Sequence, residues 1–61
     1  MKQTSVLLAD DHTLIRAGLC MVVDAEPDLS VVGEASDGHE AVEAAIALRP
    51  DVVVMDFAMP A

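Results

Sequence analysis

Val6-Leu7-Leu8-Ala9-Asp10-Asp11 and Val52-Val53-Val54-Met55-Asp56 decide the fold. Each is a short, unbroken apolar run that stops on an acid. A strand covered on both faces in a parallel sheet reads this way, without the polar alternation of a half-exposed strand. In an open α/β sheet the functional crevice lies beyond the carboxyl ends of such strands. If the two runs are neighbours, about 4.8 Å apart, Asp10, Asp11 and Asp56 converge at one rim. Three carboxylates held together repel one another unless a cation intervenes. Mg2+ suits such a place because it takes oxygen ligands, needs only one or two carboxylates and keeps several waters. A carboxylate can also act as a nucleophile and form an aspartyl phosphate. The trio therefore holds the ingredients of phosphoryl chemistry. The same residues admit a plainer reading, with Asp10 and Asp11 as a helix cap and a solvated loop acid and Asp56 as a strand-end acid, since acids are common at such ends.

Between the two runs the pattern is β-α-β-α-β with short connections. The first strand is expected over residues 5–9. A helix follows over roughly residues 13–25, with Leu14, Gly18, Leu19, Val22 and Val23 at three- and four-residue spacing as a buried stripe. Arg16, Asp24 and Glu26 fall on or near the opposite side, and Pro27 stops the helix. Residues 30–35 form a second strand that Val31 and Val32 support and Gly33 and Glu34 weaken, which places it at a sheet edge. Asp37-Gly38-His39-Glu40 opens a second helix as an Asp version of the capping box. The alanine-rich segment that follows carries it to Leu48. Arg49 suits the negative end of the helix dipole, and Pro50 disfavours helix in the residue before it. The third strand is expected over residues 51–57. Right-handed crossovers make the sheet parallel.

The chain has 61 residues, so it holds one domain or part of one. A length of this order buries only about 60% of its unfolded surface, yet 54% of the residues are hydrophobic. That richness is the mark of the interior half of a larger α/β unit, so a truncated domain is expected. Eleven acids against three bases give a net charge of −8. Lys2, Arg16 and Arg49 are scattered, which argues against direct contact of this segment with nucleic-acid phosphates. Cys20 cannot form an internal disulfide and fits a reducing compartment. After Met1-Lys2-Gln3-Thr4-Ser5 the apolar stretch is brief and meets Asp10, unlike a secretory signal. No run approaches the ~20 residues of a membrane span. A cytoplasmic protein without a membrane partner is expected.

Enzymatic alternatives are weaker. An aspartyl phosphatase of the Asp-x-Asp type needs an acid at position 58, where Ala58 stands. Neither G-x-G-x-x-G nor G-x-x-x-x-G-K-[ST] is present. His12 and His39 read as polar residues at helix entries, since a lone histidine lacks a second ligand. Cys20 reads as a small hydrophobe, and Met21, Met55 and Met59 as core filler.

Leu7-Leu8-Ala9-Asp10-Asp11-His12, Arg16-Ala17-Gly18-Leu19, Gly33-Glu34-Ala35, Asp37-Gly38, Ala41 and Val54-Met55-Asp56-Phe57-Ala58-Met59-Pro60 occur in order and with regular gaps. Together they resemble the receiver domain of bacterial two-component response regulators, in particular the NarL/FixJ subgroup. The resemblance implies an α/β fold with a flavodoxin-like parallel sheet of strand order 2-1-3-4-5. Here it would be the N-terminal portion, order 2-1-3, with strands four and five missing. The resemblance also implies that Asp56 accepts a phosphoryl group from a sensor histidine kinase. Asp11 would bind Mg2+ directly, with Asp56 and the backbone carbonyl of Ala58 as further ligands and Asp10 acting through water. The family's later Ser or Thr, its Lys and its DNA-binding helix-turn-helix output domain are absent from this chain. A receiver, rather than an enzyme, is expected, controlling transcription in the full-length protein. The alternative is an inactive receiver fragment that self-associates through the bare edge of its third strand.

Overall fold

The structure is a computed structural model that describes residues 3–55. Its elements are β1 (Thr4–Ala9), α1 (Thr13–Asp24), β2 (Leu29–Ala35), α2 (Gly38–Leu48) and β3 (Val52–Met55). The three strands form one parallel sheet in the order β2-β1-β3. The α/β fold class and strand order are those the resemblance implies. Asp56 and Ala58 lie outside the described residues.

β1 sits in the middle, and Val6, Leu7, Leu8 and Ala9 are all buried. Successive strand residues point to opposite faces, and the two helices take one face each. Ala9, Ala35 and Ala41 form one buried cluster, which puts α2 over the odd-numbered face. α1 covers the other face, where Arg16 reaches Glu34. Gly33 pairs with Leu7. A Cβ at Gly33 would lie 2.5 Å from Leu48 Cδ1 and 3.3 Å from Leu7 Cδ1. The missing side chain is what lets the last turn of α2 settle onto β2. Val6 pairs with Val31 and Leu7 with Gly33, so Val32 is an extra residue in β2, a bulge of the kind found at sheet edges.

The β1–β3 register is pinned at its start. Asp51 Oδ2 accepts from the Ser5 backbone N–H at 2.8 Å and from Ser5 Oγ at 3.1 Å. The Asp51 N–H donates to the Ser5 carbonyl at 3.0 Å. From there Val6 pairs with Val52 and Ala9 with Met55, a constant separation of 46 residues.

α2 is capped nearly as its sequence implies. Asp37 Oδ1 accepts from the Glu40 N–H at 2.7 Å. The return contact goes one residue further back than a capping box predicts. Glu40 Oε1 accepts from the N–H and Oγ of Ser36, at 2.8 and 2.7 Å, rather than from Asp37. Arg49 closes the helix with φ 49° and ψ 57°, a left-handed position that usually goes to glycine.

Expectations about burial are corrected in three places: Met21 and Met55, read as core filler, are 76% and 46% exposed, and the other two concern α1 and β3. The α1 stripe faces the sheet only in part: Leu19 and Val23 turn inward as expected, whereas Leu14 is 86% and Val22 67% exposed, and Gly18 is exposed too. Arg16 and Cys20 complete the inward set with Leu19 and Val23, at helical spacing but rotated around the axis from the expected stripe. Arg16, expected on the outer side, is drawn inward by carbonyl and carboxylate oxygens at the strand ends. The third strand is not covered on both faces either. Val52 to Met55 are each 39–46% exposed, because both helices pack on β1 and β2.

Candidate functional site

The site grows out of the carboxyl end of β1. The Asp10 N–H continues the sheet by donating to the Ala35 carbonyl at 3.0 Å. Beyond it the chain turns sharply, and Asp10 Oδ1 accepts from the His12 N–H at 2.8 Å, an Asx-type turn. His12 holds the N-cap position of α1 but makes no side-chain cap bond. Its Nδ1 instead lies 2.9 Å from Asp10 Oδ1 and 3.0 Å from Asp11 Oδ1, between the two acids.

Asp10 is only 6% exposed, and its N–H, carbonyl and Oδ1 are all engaged. The His12 N–H holds its carboxyl below the usual range. Burial opposes that, and the His12 imidazole and Arg16 add to it. The group is therefore a carboxylate at neutral pH. The Asp11 side chain is more open, at 34% exposure. One ligand atom from each of Asp10, Asp11 and His12 can be chosen so that all lie within 4.8 Å of one another. Two carboxylates, one of them facing solvent, fit a hard cation that retains water. The imidazole nitrogen sits where a hydrogen-bond donor shared by both acids would sit.

Arg16 is the member that sequence reasoning misplaced. Its Nη1 donates to the Asp10 carbonyl at 2.6 Å and reaches the Ala35 carbonyl at 3.5 Å. Its Nε donates to Glu34 Oε1 at 3.1 Å. The signal was present in the spacing: Arg16 lies three, four and seven residues before Leu19, Cys20 and Val23, the other inward positions of α1. Cys20 is half-buried, and burial followed by Glu34 pushes its thiol up, which favours the protonated thiol over the thiolate. His39 lies in the exposed first turn of α2, 3.3 Å from Glu43, away from the acids.

Residues 6–61 match the family described as "Response regulator receiver domain". The chain is 54% identical over 54 residues to the transcriptional regulatory protein LiaR of Bacillus subtilis, covering 88% of this chain and 26% of that protein. The crystal structure of the response regulator domain of Thermotoga maritima CheB superposes with a TM-score of 0.93 at 49% identity, over 97% of this chain and 44% of that one. The signal receiver domain of a NarL response regulator from Mycobacterium tuberculosis gives a TM-score of 0.94 at 38% identity, over 98% of this chain and 48% of that one. The chain thus spans about a quarter of LiaR and just under half of either solved chain. Receiver domains bind Mg2+ at an acidic pocket and interact with histidine kinases, and among the described residues Asp10, Asp11 and His12 bring their ligand atoms together. With its parallel β2-β1-β3 sheet, its acidic turn and these likenesses, the chain belongs to the response regulator receiver domain family, among relatives of the NarL type.

Proposed function

We propose that the chain is the N-terminal portion of a receiver domain that accepts a phosphoryl group on Asp56 from a sensor histidine kinase. A carboxylate oxygen of Asp56 attacks phosphorus, a P–O bond forms, the P–N bond to the donor imidazole breaks, and the imidazole leaves with the electron pair and is protonated. Asp11, Asp56 and the backbone carbonyl of Ala58 would hold Mg2+, with Asp10 reaching it through water. When bound, Mg2+ supplies neutralisation of charge on the phosphoryl oxygens. Asp10 contributes a carboxylate that the His12 N–H orients and whose charged form it favours. Asp11 contributes the carboxylate that solvent reaches.

The observation that carries this reading is the β1–β3 register. β3 runs parallel beside β1 from Val6 with Val52 to Ala9 with Met55, so the carboxyl end of the described strand stands beside the residue that leads into the Asp10–Asp11 turn. In the whole cytoplasmic protein, the added charge, roughly −1.5 to −2, would bias a two-state surface. That surface would control transcription through a C-terminal helix-turn-helix domain, which alone would touch DNA. LiaR's description as a transcriptional regulatory protein supports this.

Acetyl phosphate with Mg2+ tests the proposal. A stoichiometric adduct on Asp56, stable in acid and labile in base, is expected, and Asp56→Asn should prevent it. Repeated turnover, or an unchanged adduct in the variant, rules the reading out. One observation favours a second reading of the isolated chain: β3 ends the sheet among the described residues and is exposed along its length. Such an edge pairs readily with another chain. Self-association would appear as dimers in sedimentation, and a folded monomer at high concentration would exclude it.

A further inference from the structure

We propose that Arg16 is a positioning residue for the Mg2+ site, acting through the Asp10–Asp11 peptide. The inference rests on the reading that Asp11 is a metal ligand. Asp10 is immobilised at each polar group: its N–H on Ala35, its carboxylate on His12, its carbonyl on Arg16. The carbonyl bond is the shortest of the three, at 2.6 Å, and comes from a charged donor. The peptide unit is planar. Holding the Asp10 oxygen therefore sets the direction of the Asp11 N–H and Cα, and so the side from which the Asp11 carboxylate approaches an ion. Glu34, on the neighbouring strand, keeps the guanidinium aimed by accepting from Nε, which leaves Nη1 for Asp10. The Arg16 side chain is 17% exposed, so water replaces it poorly.

The sign of the effect separates positioning from charge. Arg16 is a cation beside carboxylates, and by Coulomb's law its removal should tighten binding of another cation. If positioning dominates, removal weakens binding, by about tenfold as is usual for groups that orient metal ligands. Calorimetric titration of the full chain with Mg2+ reads this directly, with circular dichroism confirming that each variant is folded. Arg16→Met should weaken Mg2+ about tenfold. Arg16→Lys, which keeps the charge but not the planar fork, should fall between Arg16→Met and the parent. Equal or tighter binding by a folded Arg16→Met overturns the inference. If that variant does not fold, Arg16→Lys decides, and an affinity equal to the parent's overturns it. Asp11→Asn is the separate control on the underlying reading. Loss of binding there with no change in the Arg16 variants defeats only the role of Arg16, whereas undiminished binding by Asp11→Asn defeats the ligand assignment itself.

Discussion

Leu7→Ala removes most of a side chain that is 0% exposed at the centre of the middle strand. Leu7 faces α2: its Cδ1 comes within 3.3 Å of where a Gly33 Cβ would stand, beside Leu48 Cδ1. Truncating a buried leucine to alanine costs about 2–5 kcal/mol, the spread reflecting how far the surroundings collapse into the space. Collapse here has one ready source. Leu48 ends α2, is 45% exposed and already overhangs Gly33, so its tip can swing inward. That places the expected loss toward the low end, at about 2–3 kcal/mol. A chain of this length holds only about 3–9 kcal/mol in total, so about a fifth or more of the stability goes. With a urea dependence near 1 kcal/mol per molar for so small a protein, the midpoint should fall by about 2–3 M. The chain contains no Trp or Tyr, so the transition is followed by far-ultraviolet circular dichroism rather than fluorescence. A midpoint shift below about 0.5 M would mean that β1 is not the clamped centre of a two-sided core, and the layer assignment would be wrong.

Two further outcomes follow from the α2 termini. Hydrogen bonds from the Ser36 N–H and Oγ hold the Glu40 carboxyl below its ordinary 4.5. A depressed folded-state value contributes stability that is complete above 4.5 and disappears as the pH falls through the lower, folded value. Glu40→Gln should flatten the acid limb of the stability profile in that window, and matching acid limbs for variant and parent would refute the assignment. Arg49 sits at φ 49°, where a non-glycine residue is strained by about 1–2 kcal/mol. Arg49→Gly relieves that strain but enlarges the unfolded ensemble by about 0.5–1 kcal/mol. A net gain of about 0.5 kcal/mol is expected, read as a rise of a few degrees in the melting temperature, and a fall would show that the Arg49 side chain contributes more than its backbone costs.

The order of elements was legible in the sequence because its signals are local. Val6 to Ala9 and Val52 to Met55 are too short and too uniformly apolar for amphipathic helices. Asp37 has a side chain suited to capping the turn that follows, and it caps it. The acidic pair at the end of β1 needed only its place after an apolar run. Asp10 and Asp11 do stand together at that rim, while Asp56 lies outside the described residues.

Other features came from packing between segments distant in the chain. Helical spacing defines a stripe but leaves its rotation about the axis open. The expected stripe and the inward side of α1 share Leu19 and Val23, and the rotation that adds Arg16 and Cys20 lets the strand ends offer oxygens to the guanidinium. Whether β3 would be covered depended on where the helices settled, and both lie on β1 and β2. The β1–β3 register depends on Ser5 meeting Asp51 across 46 residues, a pairing that no local propensity encodes. Backbone preferences and side-chain periods belong to the sequence alone. Rotation, register and the partners of charged groups arise only when separate segments compete for the same surface and the same hydrogen bonds.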